Sequence, residues 1–266
     1  MIFVVHLRDL RGRREVILAK TFEALMKAEK ESQMREDEVK VLKINPRSKP
    51  HMPVSFKAHP QIVEEYHRMR QTLLSANTSE KIKTLLFVSP TKGEGTSSVL
   101  TNFAITLATG EDTVLVVDAN HRNPSLHNTL NVEKKDGLTE LLHDKYHMRA
   151  VIKKTQIKNL SVITSGIPLS NPFSIFDSIA LDNLITQMKL HADWVLFDSP
   201  PINAYNDASA LAAKMDGVVM VVQAENTRWE VAQSAKKKIK NAKVSLLGVI
   251  LNRRKMHIPD WAYKML

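Results

Sequence analysis

From residue 84 onward, short apolar runs alternate with helical patterns, and this rhythm constrains the fold more than any other feature. Six runs rich in Val, Ile and Leu have the length of strands: 84–89, 113–118, 161–164, 194–198, 217–223 and 245–251. Between them lie amphipathic patterns with helical spacing, most clearly at 97–109, 173–190, 207–214 and 229–240. Continuous apolar strands that alternate with helices predict an α/β fold, with a doubly wound, mainly parallel sheet covered on both faces.

The first 59 residues are predicted to be an N-terminal extension. Thr21 can cap a helix over about 21–34, in which Phe22, Leu25 and Met26 share one face. Four prolines between residues 40 and 60 predict an extended linker, while residues 1–20 show no clear period. A second helix is predicted over 61–76 from its apolar spacing. We therefore place the domain boundary between the extension, 1–59, and the folded domain, 60–266.

Composition narrows the classes of function. With 43% hydrophobic and 25% charged residues, the chain is typical of folded globular proteins. It has no cysteine, which excludes disulfides, thiolate metal sites and cysteine nucleophiles. The net charge of +10 favours an anionic partner. No apolar run is long enough to span a membrane, and Met1–His6 is too short for a signal peptide, so a cytoplasmic location is expected.

A loop with two glycines follows the first core strand. Residues 89–98 read SPTKGEGTSS and precede an apolar helix, the context in which backbone amides and a helix N-terminus bind phosphates. Against the phosphate-loop pattern G-x-x-x-x-G-K-[ST], Gly95 and Ser97 match, whereas Pro90 and Thr96 replace the first glycine and the lysine. On this loop alone, a phosphate site and a capped β-to-α turn are both open interpretations.

Two carboxylates follow other predicted strands. Asp118 ends the run 113–118 and Asp198 ends the run 194–198. An acid at the end of an apolar strand, near a phosphate loop, is placed to hold Mg²⁺ or its waters. His121 and His127 lie nearby, but no further ligand completes a set, so local hydrogen bonding is expected for them.

Together these segments resemble the cytoplasmic tyrosine autokinases of bacterial capsular and extracellular polysaccharide synthesis. That family is a branch of the P-loop ATPases related to the partition and septum-site ATPases. The resemblance covers the chain from about residue 62. It rests on a Walker A segment at 93–97, a Walker A′ segment at 118–124, a Walker B segment at 198–201 and a helical motif at 64–70.

The resemblance implies ATP or ADP with Mg²⁺ as ligands and assigns roles to individual residues. The residues implied to bind the nucleotide are Lys92, Gly93, Glu94, Gly95, Thr96, Ser97, Ser98 and Asn252, the last of them at the adenine. Asp118 and Asp198 would be catalytic, and Ser97 would join them in holding the metal. Glu64, His67 and Arg70 would support assembly of a homo-oligomer.

The sequence departs from the family pattern at functional positions. Thr96 stands in place of the phosphate lysine, which predicts weakened binding and catalysis unless Lys92 supplies the charge. Asn120 replaces the second Walker A′ carboxylate, and His67 replaces the first arginine of the assembly motif. The tail has a single tyrosine, Tyr263, instead of a cluster.

We therefore predict a cytoplasmic, nucleotide-binding regulator of polysaccharide biosynthesis and export, similar to a tyrosine autokinase but impaired in catalysis. Its implied partner is the cytoplasmic part of a membrane chain-length regulator, which would hold it at the inner face of the plasma membrane. The alternatives are an active ATP-dependent tyrosine autokinase and a partition-like ATPase, whose signature lysine would fall at Thr91. Nucleic acid is not expected. A lysine cluster over 236–243 is either a solvated helix face or a contact to an acidic surface.

Overall fold

The computed structural model describes residues 3–6, 60–76, 82–143, 145–168, 173, 176 and 178–253. The predicted helix at 21–34, most of the proline-rich linker and the tail with Tyr263 lie outside these residues.

The described strands form one sheet of eight. They are β1 (Phe3–His6), β2 (Thr84–Val88), β3 (Val114–Asp118), β4 (Lys153–Lys154), β5 (Leu160–Ile163), β6 (Trp194–Asp198), β7 (Gly217–Gln223) and β8 (Leu246–Asn252). Their order is β1-β8-β7-β2-β6-β3-β5-β4. The six strands from β8 to β5 are parallel, and β1 and β4 are antiparallel at the edges. The predicted parallel α/β sheet is confirmed.

Helices connect the strands. Those described are α1 (Pro60–Ala76), α2 (Thr96–Thr109), α3 (Leu126–Thr129), α4 (Leu138–Leu142), α5 (Met148–Val151), α6 (Ile179–His191), α7 (Asp207–Ala212) and α8 (Trp229–Asn241). Apolar cores lie on both faces of the sheet, because neighbouring residues of a strand point to opposite sides. In β2, Leu85 and Phe87 pack with α1 and α2, while Leu86 and Val88 pack with α6, α7 and α8.

Two predictions about the elements were wrong or incomplete. The pattern at 173–190 does not form one helix, since α6 begins at Ile179, where the Ser178 hydroxyl caps it by accepting from the Leu181 amide. The region 1–20, which showed no period, contains edge strand β1. Strand β4 and helices α3 to α5 have at most five residues each, too few for periodicity to identify.

Candidate active site

The three predicted motifs meet at the carboxyl end of the sheet. Strand β6 lies between β2 and β3 and pairs with both. Asp118 and Asp198 are direct partners in the parallel register, so the two carboxylates end adjacent strands. The glycine loop leaves the end of β2 beside them. Parallel α/β sheets bind their ligands at this edge.

The glycine loop leads directly into the N-terminus of α2. Gly93 and Gly95 have φ of 93° and 87°, a left-handed conformation that glycine adopts without strain. Gly95 is the N-cap residue, and no side chain caps the helix there. The first-turn amides therefore lack a side-chain acceptor, and the positive end of the helix dipole favours an anion.

Ser97 and Asp198 contact each other across the site. The Ser97 hydroxyl donates to Asp198 Oδ2 at 2.5 Å. Asp198 is fully buried, and its Oδ1 has no hydrogen-bond partner among the described groups. Burial raises the pKa of Asp198 well above its ordinary value, and the nearby charge of Asp118 raises it further. A buried, unpartnered carboxylate oxygen of this kind would be stabilised by a cation.

Asp118 is held by the loop that follows it. Its carboxylate accepts from the amides of Asn120, Ser125 and Leu126 at 3.1–3.2 Å. Burial raises the pKa of Asp118 to about 6, although these amides and the positive charge of Lys134 oppose the shift. The backbone bonds fix the carboxylate, and burial makes its charge costly without a counterion.

These groups fit Mg²⁺ held together with a nucleotide. Within the described part of the chain, no three His, Asp or Glu side chains cluster as a protein-only metal site would require. Mg²⁺ is commonly bound by one or two carboxylates, with phosphates and waters completing its shell. Ser97, Asp118 and Asp198 supply such a partial set beside the uncapped helix N-terminus.

The remaining predicted nucleotide residues occupy three kinds of position. Lys92, Gly93 and Ser98 are exposed. Thr96 is buried at the start of α2, at the position expected to carry a lysine. Asn252, at the end of β8, donates from Nδ2 to the Glu94 carbonyl at 2.8 Å and accepts from the Arg253 amide. Asn252 therefore lies against the glycine loop, and its contact with adenine stays a prediction.

The predicted assembly residues lie on α1. Glu64 and His67 are exposed. Arg70 forms an ion pair with Asp112 at 3.0 Å and reaches the Gly110 carbonyl at 3.3 Å, so it joins α1 to the turn after α2. Within the described residues, Arg70 therefore has a role inside its own chain, and its part in assembly stays a prediction.

The loop after β3 also carries a positively charged side chain, Arg122. The Arg122 side chain bonds Asp207 through Nε at 2.8 Å and lies 4.1 Å from the centre of the Tyr205 ring. His121 is buried beside Phe176, and its Nδ1 lies 3.5 Å from the Thr139 hydroxyl, while its Nε2 and the Nδ1 of His127 have no hydrogen-bond partner among the described groups. Burial lowers the pKa of His121 to about 4, which keeps the ring neutral.

Sequence reasoning missed two residues near the site. Lys134 lies close enough to lower the pKa of Asp118, and Thr227 donates to the Glu94 carboxylate. Neither residue belongs to a local motif, so no sequence signal identified them. In the lysine cluster at 236–243, Lys238 donates to the Ile202 and Asn203 carbonyls, so this one lysine supports the loop after β6.

Comparison with known proteins gives the family. An AAA domain matches residues 83–249. The tyrosine-protein kinase YwqD of Bacillus subtilis is 33% identical over 193 residues, which are 73% of this chain and 81% of that protein. The tyrosine-protein kinase CpsD of Streptococcus agalactiae is 30% identical over 71% of this chain and 83% of its own length. The chain belongs to the bacterial tyrosine-protein kinases.

Solved structures agree with this family. The chimerical protein CapA2B2 superposes with a TM-score of 0.72 at 30% identity, over 76% of this chain and 89% of that one. The kinase domain of the Escherichia coli tyrosine kinase ETK gives the same TM-score at 22% identity, over 84% and 89% of the two chains. The septum-site-determining protein MinD of Pyrococcus horikoshii, complexed with Mg-ADP, shares the fold with a TM-score of 0.56 at 22% identity, over 69% of this chain and 76% of that one. The predicted P-loop fold and the tyrosine-kinase resemblance are both confirmed.

Proposed function

We propose that this bacterial tyrosine-kinase family member is a nucleotide-binding regulator of capsule or exopolysaccharide biosynthesis and export, with impaired catalysis. One observation carries the proposal. Three Mg²⁺-compatible side chains lie beside the uncapped start of α2, while Thr96 stands where the phosphate lysine is expected. The site is therefore suited to hold a nucleotide better than to transfer its phosphate.

Nucleotide binding is supported by the residues that remain. The left-handed glycines shape the loop, and the amides at the start of α2 suit the β- and γ-phosphates of ATP or ADP. Ser97 and Asp198 would hold Mg²⁺ between them, and Asp118 would face the metal or the incoming hydroxyl. The bound metal would neutralise phosphate charge, a role favoured by the burial of Asp118 and Asp198 and by the bond between Ser97 and Asp198.

Impaired catalysis follows from the missing ammonium. A charge-assisted contact to phosphate contributes about 1.5 to 3 kcal/mol to binding. Loss of a comparable contact to developing charge lowers a rate by about 10² to 10³. Lys92 is exposed on the loop, and no side-chain contact directs it toward the carboxylates in the described residues.

The competing candidate is an active tyrosine autokinase, and one observation favours it. Ser97 bonds Asp198, Asp118 ends the strand beside it, and the positive charge of Lys134 acts to lower the pKa of Asp118. The partition-like ATPase is less well supported, because Thr91 occupies its lysine position and bonds Glu94 through both its amide and its hydroxyl.

The proposal also includes a binding partner and a cellular location for this protein. None of the described helices is both long and apolar enough to cross a membrane. We infer that the protein lies at the inner face of the plasma membrane by binding the cytoplasmic part of a chain-length regulator. The tyrosine-protein kinase ptk of Acinetobacter johnsonii supports this inference, because the match covers only 26% of its length and the rest of that protein consists of other segments. Homo-oligomers would form through the face of α1 that carries Glu64 and His67.

A kinase assay with nucleotide titration tests the proposal. Purified protein is incubated with Mg²⁺ and labelled ATP and probed for phosphotyrosine, alongside Thr96→Lys and Asp118→Ala. We expect binding of ADP with Mg²⁺ by calorimetry and little or no phosphotyrosine in the unmodified protein. Strong labelling that Asp118→Ala abolishes would establish the active kinase instead. Absence of binding heat at millimolar ADP would reject the nucleotide site.

A further inference from the structure

Glu94 is a buried carboxylate within the phosphate loop. Its side chain is 1% exposed, and Oε1 accepts three hydrogen bonds: from the Thr91 amide at 3.1 Å, the Thr91 hydroxyl at 2.5 Å and the Thr227 hydroxyl at 3.1 Å. Its other oxygen, Oε2, is buried without a partner in the described part of the protein. Three protein donors therefore hold the Glu94 side chain inside the loop through a single oxygen, Oε1.

Thr227, which lies outside the loop, donates its hydroxyl to Glu94. It lies 133 positions from Glu94, in the turn between β7 and α8, and is 7% exposed. The turn itself is fixed, since the Thr227 amide donates to the Gln223 carbonyl at the end of β7. The hydroxyl of Thr227 therefore connects the phosphate loop to the end of the neighbouring strand.

The backbone of Glu94 is held from a second direction. Asn252, at the end of β8, donates to the Glu94 carbonyl at 2.8 Å. The next residue has to be glycine for this contact, because a Cβ at Gly95 would lie 2.3 Å from Asn252 Nδ2. The middle of the loop is thus fixed by one side chain from the turn after β7 and one from the end of β8.

The bonds that hold the loop matter more here because Thr96 stands where the family pattern has a lysine. Without a lysine ammonium, phosphate affinity depends on loop amides, and donors bind best when their positions are fixed beforehand. We propose that Glu94 and Thr227 form a positioning pair, in which their hydrogen bond holds the phosphate loop in the shape that binds nucleotide phosphates. The inference rests on the proposed nucleotide-binding function and assigns Glu94 a role different from direct ligand contact. Burial raises the pKa of Glu94, and the bond from Thr227 offsets part of that cost.

Substitutions of Thr227 test the pair by calorimetric titration of ADP with Mg²⁺. We expect Thr227→Val and Thr227→Ala to weaken binding about 3- to 10-fold, the effect of one net hydrogen bond. Thr227→Ser keeps the hydroxyl and should bind like the unmodified protein. Thr106→Val is the matched control, since Thr106 is also buried and donates to the Asn102 carbonyl at 3.0 Å, away from the loop. Its dissociation constant should change by less than about 2-fold.

Variants of Glu94, alone and combined with Thr227→Val, test whether the two side chains act through the same bond. Glu94→Gln keeps an oxygen acceptor and should retain most of the affinity, whereas Glu94→Ala should lose at least as much as Thr227→Val. Because both changes remove the same bond, Glu94→Ala combined with Thr227→Val should bind no more weakly than Glu94→Ala alone. Additive losses would overturn the pairing.

Amide hydrogen exchange separates this inference from the proposed function. In nucleotide-free protein, Thr227→Val should speed exchange at residues 91–95 and leave α6 unchanged, while Thr106→Val should not affect the loop. If the unmodified protein binds no ADP, the proposed function fails, and faster loop exchange still supports the positioning pair. Unchanged loop exchange in Thr227→Val overturns the inference, whatever the affinity.

Discussion

At the scale of single residues, the chemistry of the site depends on Thr96 and on the two buried carboxylates. Thr96 stands where the family pattern has a lysine, and Asp118 and Asp198 are buried carboxylates at the ends of adjacent strands. At the Walker A lysine position the site therefore has no side-chain cation, and the proposed Mg²⁺ would supply the positive charge there. This imbalance leads to two predictions.

Restoring the lysine should strengthen nucleotide binding. The ammonium of Thr96→Lys would lie at the first turn of α2 and add a charge-assisted contact to phosphate, so we expect ADP to bind about 10- to 100-fold more tightly. Calorimetric titration with Mg²⁺ measures the change. Thr109→Lys, at the exposed far end of the same helix, is the control and should have a much smaller effect. Equal affinities in all three proteins would mean that the loop does not bind phosphate.

Asp118 should make folding stability depend on pH. Its pKa in the folded protein is about 6, above the ordinary 3.8, so the folded state holds the proton more tightly than the unfolded chain does. The stability that the folded state gains from this tighter proton binding is fully present below about pH 3.8 and is lost as the pH rises through about 6. Without Mg²⁺, Asp118→Asn should therefore raise the free energy of unfolding more at pH 8 than at pH 4.5.

Urea unfolding at the two pH values measures this effect, and Asp193→Asn is its control. Asp193 is exposed and accepts from the Thr113 amide and hydroxyl, which lower its pKa. The control should not stabilise the protein at pH 8. An equal gain from Asp118→Asn at both pH values would contradict the assignment of the burial cost to that carboxylate.

At the scale of elements, α1 is joined to the parallel sheet and α2 by both apolar and ionic contacts. Tyr66, Met69 and Leu73 pack into the core on the α2 side of the sheet. Arg70 adds the ion pair with Asp112 in the turn after α2. The helix predicted from sequence for assembly is thus also part of the folded domain.

Removing the ion pair should reduce stability. Both side chains of the pair are 24% exposed, and Arg70 also bonds the Gly110 carbonyl, so we expect Arg70→Ala to lower the free energy of unfolding by about 1 kcal/mol. Asp112→Ala should cost a similar amount, and the double variant should cost less than the sum. Urea unfolding measures these values, with the exposed His67→Ala as control. Light scattering of the same variants separates a loss of assembly from a loss of stability.

At the scale of the whole molecule, sheet order brings distant segments to one edge. Strand β6 inserts between β2 and β3, which places Asp198 between the loop and Asp118. Strand β1 pairs with β8 up to Leu251, next to Asn252 and its contact with the loop. An N-terminal strand thus covers the edge of β8 and borders the candidate site.

Removing residues 1–6 should uncover that edge. Exposed strands pair readily with other chains, so we expect lower stability and concentration-dependent association. Dynamic light scattering and urea unfolding measure both effects. Removal of residues 1 and 2 alone leaves β1 intact and should have little effect. A truncated protein whose association and stability are both unchanged would contradict a structural role for β1.

The parallel core and the motif positions are predicted accurately from sequence because they depend on local patterns. Strands β6 and β7 match their predicted bounds, and α1 and α8 differ from theirs by one residue at one end. The position of Asp118 and Asp198 at strand ends is also predicted correctly, since each residue ends an apolar run. The interruption at Ser178 was missed because apolar spacing continues across it.

By itself, the sequence determined the fold class, the family and the residues that replace expected ones, Thr96 above all. These features follow from residue identity and from the spacing of residues within short segments of the chain. Only the tertiary structure decided which groups meet: Thr227 with Glu94, Arg70 with Asp112, and Lys134 with Asp118. Such contacts join segments 16 to 133 positions apart, and the packing of the sheet, which no local pattern encodes, brings them together.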